Sequence, residues 1–232
     1  MKRQLFAEFL GTFVLVMAVV GSGVMATNLT NDAGLQLLIN MLATVTALAV
    51  LICLFQTISG AHFNPAVSLS AMAQRELPKS EAVSYVAIQI VGAIAGATVA
   101  NIMFGLPAWS AGTFERGGMG VLLGEVVATT GLILAIGILV RTNRTSLVAL
   151  VIPAWIGAAY FFTASTSFAN PAVTIGRAFT DSFTGISPTS VAPFIAAQLV
   201  GALIGVVLTL VFYSKSLMPK KSLTPKKKVK IN

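Results

Sequence analysis

The sequence predicts an all-α membrane protein in which six transmembrane helices and two re-entrant half-helices form an inverted repeat. Three observations lead to this fold class. The chain is 56% hydrophobic and only 9% charged, with a mean hydropathy of +0.89, a composition that would give a soluble domain an unfavourably apolar surface. The tripeptide Asn-Pro-Ala occurs twice, and segments near the first copy recur near the second.

Six apolar runs are long enough to cross a bilayer as helices, which takes about 20 residues each. We expect the first run to be a retained helix rather than a signal peptide, because it begins soon after Met1 and no small-residue cleavage site follows it. The runs cover residues 5–26, 36–58, 82–104, 119–140, 147–167 and 190–213.

The basic residues predict the topology. Thirteen of the fifteen Lys and Arg residues fall on termini and loops that share one side of a six-span arrangement, and only Arg116 and Arg177 fall on the other. By the positive-inside rule both termini are therefore cytoplasmic. The lysine-rich tail, residues 215–232, fits contact with anionic lipid headgroups better than binding to nucleic acid.

Internal repetition divides the chain into two halves. The segment AIQIVGAIAG at 87–96 recurs as AAQLVGALIG at 196–205, and AEFLGTFVL at 7–15 is echoed by GEVVATTGL at 124–132. Each half holds three spans, an odd number, so the second half enters the membrane from the opposite face. We predict a first repeat at 1–118, a second, inverted repeat at 119–214, and the basic tail at 215–232.

Each Asn-Pro-Ala copy is predicted to begin a half-helix. The segments Pro65–Gln74 and Pro171–Thr180 are too short to cross the membrane. Proline is favoured at the first helical position, and asparagine before it is a good N-cap. The motif residues are Asn64, Pro65 and Ala66 in the first copy and Asn170, Pro171 and Ala172 in the second. Inversion brings both helix starts together near the bilayer midplane, where non-helical backbone is tolerable only when it is buried or lines a water-filled path.

The stretch SGAHFNPAVS and the layout around it resemble the aquaporin and glycerol-facilitator family, the major intrinsic proteins. The resemblance extends from Glu8 to about Tyr213. It implies a passive channel in the cell membrane, with one pore per subunit of a homotetramer. Further positions that the family also uses are Glu8, Gly11, Thr12, Gln89 and Glu125.

Roles for the polar residues of such a pore follow from their chemistry. The side chains of Asn64 and Asn170 would donate hydrogen bonds to a passing oxygen, which cannot then hand a proton along the file. The only acids within full spans, Glu8 and Glu125, fit loop support better than proton relay. His62 matches a position that the family fills with His, and we expect it to order the loop or line the cytoplasmic vestibule. The sequence lacks the partners that a metal site at His62 would need, so no metal or cofactor is expected.

The predicted outer filter departs from the family pattern. Where relatives usually carry Arg directly after the second Asn-Pro-Ala, this chain has Val173. A gapless count from the motifs places the other filter positions at Thr44, Ala158 and Ser167, and these small or apolar groups predict a wide constriction. The Asp of typical glycerol facilitators is also missing, since Thr174 stands there.

One arginine is placed to compensate for the missing filter charge. In a half-helix, Arg177 lies one turn beyond Val173 on the same face, so its charge is expected to guard the outer mouth. The alternative is that Arg177 pairs with Asp181 or reaches the headgroups.

The sequence thus favours a passive channel for small uncharged solutes, with water as a further permeant. The favoured solutes are glycerol-like polyols, urea-like molecules or metalloid hydroxides. A water-selective aquaporin is the alternative within the family, and an ion-coupled secondary transporter is less favoured because no suitable carboxylate lies beside the half-helix starts. No constellation of catalytic groups indicates an enzyme. Cys53, the only cysteine, fits helix packing better than a pore thiol.

Overall fold

The computed structural model describes residues 1–213 and shows the expected all-helical membrane fold. Within this range six helices are long and apolar enough to cross a membrane, and two short helices lie between them. The helices are α1 Lys2–Leu29, α2 Ala33–Ser59, α3 Pro65–Ala73, α4 Lys79–Met103, α5 Met119–Arg141, α6 Val148–Phe162, α7 Pro171–Arg177 and α8 Pro188–Phe212, with a 3-10 turn at Thr145–Leu147. The basic tail predicted at 215–232 lies outside the described residues.

Two helices end at least three residues earlier than the sequence predicts, whereas the other ends that fall short do so by a single residue. Helix α6 stops at Phe162 rather than at residue 167, because Thr163 adopts extended backbone and Thr166 and Ser167 are left-handed. Helix α7 stops at Arg177 rather than at Thr180. Its last turn is closed by tight hydrogen bonds, with the N–H of Ala178 donating to the carbonyl of Ile175 at 3.1 Å.

The two halves of the chain use the same helix pairing. Helix α1 packs along α4, and α5 packs along α8. Both crossings are so close that only a glycine fits: an added Cβ would lie 2.6 Å from the carbonyl oxygen of Phe9 at Gly92, and 2.5 Å from that of Val126 at Gly201. Small residues at crossings let helix backbones touch, which is a main source of helix association in lipid. This pairing holds together the four helices that carry the buried residues Glu8, Gln89, Glu125 and Gln198.

The outer surface of the bundle is apolar. Large hydrophobic side chains are exposed on the described helices, among them Leu42, Leu54, Leu150, Leu203 and Val211. The buried interior carries the polar residues instead, including Glu8, Gln89, Glu125 and Gln198, each with no exposed surface. Apolar side chains on the surface and buried polar side chains inside are expected of a bundle surrounded by hydrocarbon.

The crossing of α5 and α8 yields a stability prediction. Replacing Gly201 by Ala should overpack the crossing and cost about 1–3 kcal/mol, so the thermal midpoint of the detergent-solubilised protein should fall. The matched control is Gly120→Ala on the partner helix α5, where an added Cβ meets nothing within 4 Å. Equal thermal midpoints for the two variants in fluorescence-detected size exclusion would contradict the close crossing.

Candidate functional site

The half-helices α3 and α7 begin at the two asparagines. The side-chain oxygen of Asn64 accepts from the N–H of Ala66 at 2.9 Å. That of Asn170 accepts from the N–H groups of Ala172 at 3.0 Å and Val173 at 3.2 Å. Each asparagine thus caps the helix that its own motif begins.

The asparagines also join the two half-helices to each other. The Nδ2 atom of Asn64 donates to the carbonyl of Ala169 at 2.8 Å, and the Nδ2 atom of Asn170 donates to the carbonyl of Phe63 at 2.9 Å. A carboxamide carries two N–H donors, so one on each asparagine remains for another acceptor. Both asparagines line the passage described below.

The loop before the first motif is held by a buried carboxylate. Glu8 of α1 accepts from the backbone N–H of His62 at 3.0 Å and of Phe63 at 2.7 Å. It also accepts from the Ser59 hydroxyl at 2.6 Å and from Nε2 of Gln89 at 2.7 Å. These donors belong to non-helical backbone or to buried side chains, which would otherwise lack a partner.

The second repeat reproduces this support. Glu125 of α5 accepts from the N–H of Phe168 and of Ala169, both at 2.9 Å, and from Nε2 of Gln198 at 2.6 Å. The residue before each asparagine has the same left-handed backbone, with φ of 50° at Phe63 and 46° at Ala169. Neither carboxylate lines the passage, so the geometry gives them a supporting contact rather than a place in a proton path.

A cavity of about 550 Å³, here called the passage, runs beside both asparagines. Its lining includes both apolar and polar side chains. The apolar side chains come from the long helices and include Leu15, Val19, Leu48, Ile52, Leu132, Ile133, Ile136, Ile152 and Ile156. The polar side chains include Thr44, His62, Asn64, Tyr160, Ser167, Asn170 and Arg177.

The prediction for Ala158 is wrong, because that residue is exposed on the outside of α6. The lining residues of α6 are Val148, Ile152, Ile156 and Tyr160, which are spaced one turn apart on a single face. Ala158 lies two residues from Ile156 and so on the opposite side of the helix. The gapless count missed Tyr160, although the apolar repeat at every fourth residue in the sequence could have found it.

Tyr160 makes the constriction more polar than the sequence predicts. Its buried hydroxyl donates to Oγ1 of Thr44 on α2 at 3.3 Å. Ser167 and Val173 line the same passage, and the Ser167 hydroxyl has no hydrogen-bond partner among the described residues. Three of the four filter residues predicted from sequence, Thr44, Ser167 and Val173, therefore line the passage. The fourth lining residue is Tyr160, with a phenol side chain, rather than Ala158, with a methyl group.

Arg177 lies inside the outer mouth, the name used here for its end of the passage. It is buried, its Nε atom donates to the carbonyl of Thr184, and its guanidinium carbon lies 3.5 Å from the centre of the Phe168 ring. The alternative pairing with Asp181 does not occur. That carboxylate accepts instead from the hydroxyl of Thr113 at 2.8 Å.

His62 and Cys53 occupy different surroundings. The His62 ring lines the passage, with Nδ1 3.0 Å from the Ser68 hydroxyl and the Tyr85 ring packed edge-on at 5.5 Å. Cys53 is exposed on the surface of α2 and does not line the passage.

Two capped half-helices that meet beside a passage, within an inverted repeat of six spans, define a multi-pass membrane channel. The major intrinsic protein family model matches residues 1–168 and 121–231. The chain belongs to the major intrinsic protein family, and it forms a passive channel for small solutes.

Individual relatives agree with this membership. The chain is 45% identical over 208 residues to Aquaglyceroporin AqpS of Rhizobium meliloti (strain 1021), covering 90% of this chain and 89% of that protein. It is 36% identical over 123 residues to Aquaporin Z of Brucella melitensis, covering 53% and 54%. The fold is similar to the X-ray structure of the aquaglyceroporin from Plasmodium falciparum, with a TM-score of 0.67 and 24% identity over 94% of this chain and 97% of that one.

The contacts of Glu125 predict the effect of its substitution. In Glu125→Gln the side chain keeps its size but offers one acceptor oxygen in place of two, so at least one of its three buried donors loses its partner. We expect a cost of about 1–3 kcal/mol and a lower thermal midpoint in detergent. Glu81→Gln, which changes a partly exposed carboxylate in the first turn of α4, is the control. A Glu125→Gln protein as stable as this control would show that the loop does not need the second oxygen.

Proposed function

We propose that the passage conducts small polyols such as glycerol, together with water. The observation that carries this proposal is that the lining contains both apolar and polar side chains. A polyol has a hydrocarbon side and a row of hydroxyl groups, and such a lining matches both at once. The resemblance to two aquaglyceroporins supports the same solute class, and urea-like molecules and metalloid hydroxides share its size and neutrality.

The asparagines supply the central step of permeation. Each has one Nδ2 hydrogen tied to the opposite loop and one left over, so a solute hydroxyl that passes between them accepts from both sides. An oxygen whose lone pairs are engaged in this way cannot pass a proton to the next molecule in the file. Asn64 and Asn170 therefore orient the solute and interrupt proton transfer.

Selectivity is assigned to the outer constriction of Thr44, Tyr160, Ser167 and Val173, with Arg177 beside it. The hydroxyls of Tyr160 and Thr44 are joined by a hydrogen bond, the Ser167 hydroxyl is buried without a partner among the described residues, and Val173 supplies an apolar side. The guanidinium of Arg177 repels cations at the mouth, which is the guard role of this residue. His62 orders the first loop through Ser68 and meets the solute on the far side of the asparagines.

The proposal extends to the orientation of the channel in the membrane and to its assembly. Both termini lie in the cytoplasm, the basic tail contacts anionic headgroups, and the two sequence repeats act as structural halves. The exposed apolar faces of α2 and α6 fit contact with lipid or with neighbouring subunits, in accord with a homotetramer in the cell membrane.

Reconstituted proteoliposomes test the solute class directly. In stopped-flow light scattering they should take up glycerol faster than empty liposomes, at a rate that imposed proton or sodium gradients leave unchanged. Asn170→Leu should lower this rate per inserted protein, because the cap and the donor are both lost. Vesicles that pass water but exclude glycerol and urea would replace the proposal by a water-selective channel. Dependence on an ion gradient would indicate a coupled transporter.

Substitutions at Tyr160 and Ala158 test which face of α6 lines the predicted constriction. Tyr160→Ala should remove bulk from the passage and raise the flux of five-carbon polyols relative to glycerol by roughly five- to tenfold, which corresponds to ~1 kcal/mol of barrier. Ala158→Leu adds bulk on the outer surface of α6 and should leave this ratio unchanged. If Ala158→Leu altered the ratio and Tyr160→Ala did not, the face of α6 assigned to the passage would be wrong.

A further inference from the structure

A second arginine lies behind the outer mouth without lining the passage. Arg116 belongs to the loop between α4 and α5, and its guanidinium reaches the loop between α7 and α8. Its Nε atom donates to the carbonyl of Gly185 at 3.0 Å, and its Nη2 atom donates to that of Phe183 at 3.3 Å. Its backbone N–H donates to the Ser190 hydroxyl at 3.0 Å. Arg116 thus ties its own loop to the α7–α8 loop at two points and to the first turn of α8 at a third.

The carbonyl between these two acceptors binds the other arginine. Thr184 lies between Phe183 and Gly185, and its carbonyl accepts from Nε of Arg177. Three consecutive carbonyls therefore hold two guanidiniums. The same two groups also share the Phe168 ring, whose centre lies 3.5 Å from the Arg177 guanidinium carbon and 5.1 Å from that of Arg116.

The charges near this cluster do not hold Arg177 in place. The nearby carboxylates are engaged elsewhere: Asp181 accepts from Thr113, Glu115 accepts from Thr189 and Ser190, and Glu125 accepts from backbone N–H groups. Burial lowers the pKa of Arg116 to about 10, which still leaves it charged at neutral pH. The two arginines accordingly repel each other, and carbonyl and ring contacts must offset that repulsion.

We propose that Arg116 is a positioning residue that fixes the carbonyls of residues 183–185, so that the Arg177 guanidinium stays on Phe168 inside the mouth. This inference rests on the guard role proposed above for Arg177. Arg116 acts through the loop rather than through its own charge, because it does not line the passage. When the Arg116 hydrogen bonds to Phe183 and Gly185 are lost, the short 183–185 segment is released. Arg177 can then turn outward toward the exposed Asp181.

A mutant cycle tests the positioning role through potassium leak from proteoliposomes, measured beside glycerol flux. Arg177→Ala should raise the leak relative to glycerol flux by on the order of tenfold, or ~1.4 kcal/mol of barrier. Arg116→Gln should raise it to a similar extent, but should add little in the Arg177→Ala background. Arg116→Lys keeps the charge but can reach only one of the two carbonyls, so its leak should fall between those of the wild type and Arg116→Gln. Arg144→Gln, an exposed change whose side chain contacts only its own loop, is the control.

Each other outcome overturns a specific step. An unchanged leak in Arg177→Ala would remove the guard role itself, while the polyol proposal would stand on the glycerol data. A leak in Arg177→Ala but not in Arg116→Gln would remove the positioning role alone. A full Arg116→Gln effect in the Arg177→Ala background, or a wild-type leak in Arg116→Lys, would show that Arg116 acts by its charge. Glycerol flux and thermal midpoint, measured on every variant, identify any protein that has simply misfolded.

Discussion

The structure depends on satisfying backbone hydrogen-bonding groups that leave helical conformation in the middle of a membrane. Hydrocarbon offers no partner to such groups, so each must find one inside the protein. Two buried carboxylates meet this need, since Glu8 and Glu125 each accept from two consecutive N–H groups just before a half-helix. Because those loops are held, the asparagines can cap α3 and α7, and each can donate to the backbone carbonyl just before the other asparagine. This support holds the two helix starts beside the passage.

The two repeats share their support but differ in what they present to the solute. Gln89 and Gln198 each bridge a carboxylate to the hydroxyl at the same place in a half-helix, Ser68 in one and Thr174 in the other. Two residues before each asparagine the repeats diverge. There the first repeat has His62, packed on Tyr85. The second has Phe168, whose ring contacts the guanidinium groups of Arg116 and Arg177. An approximately symmetric framework thus holds two chemically different mouths.

Much of this arrangement could be predicted from the sequence because it follows from local rules. The six spans, the half-helix starts and the pairing of each glutamate with a loop rest on hydropathy, capping and the cost of buried charge, and each leaves a residue pattern. The face of α6 that meets the passage could not be obtained from spacing alone. A gapless count assumes a connection of fixed geometry between α6 and Asn170, whereas left-handed residues at Thr166, Ser167 and Ala169 fold it differently. Ala158 was therefore misplaced and Tyr160 overlooked. The contacts of Arg116 join distant loops and leave no sequence pattern.

The direction of the Arg177 side chain matters as much as its position in the sequence. By helix geometry, Arg177 begins one turn further out than Val173, where relatives carry their filter arginine. Its side chain does not continue outward, because the guanidinium lies on Phe168, the immediate neighbour of Ser167 at the constriction. The guanidinium thereby stays over the Phe168 ring, while Val173 keeps its own part of the lining apolar. In the guard role proposed above, this fixed charge would repel a cation beside the predicted filter, and an uncharged solute would still find an apolar surface at Val173.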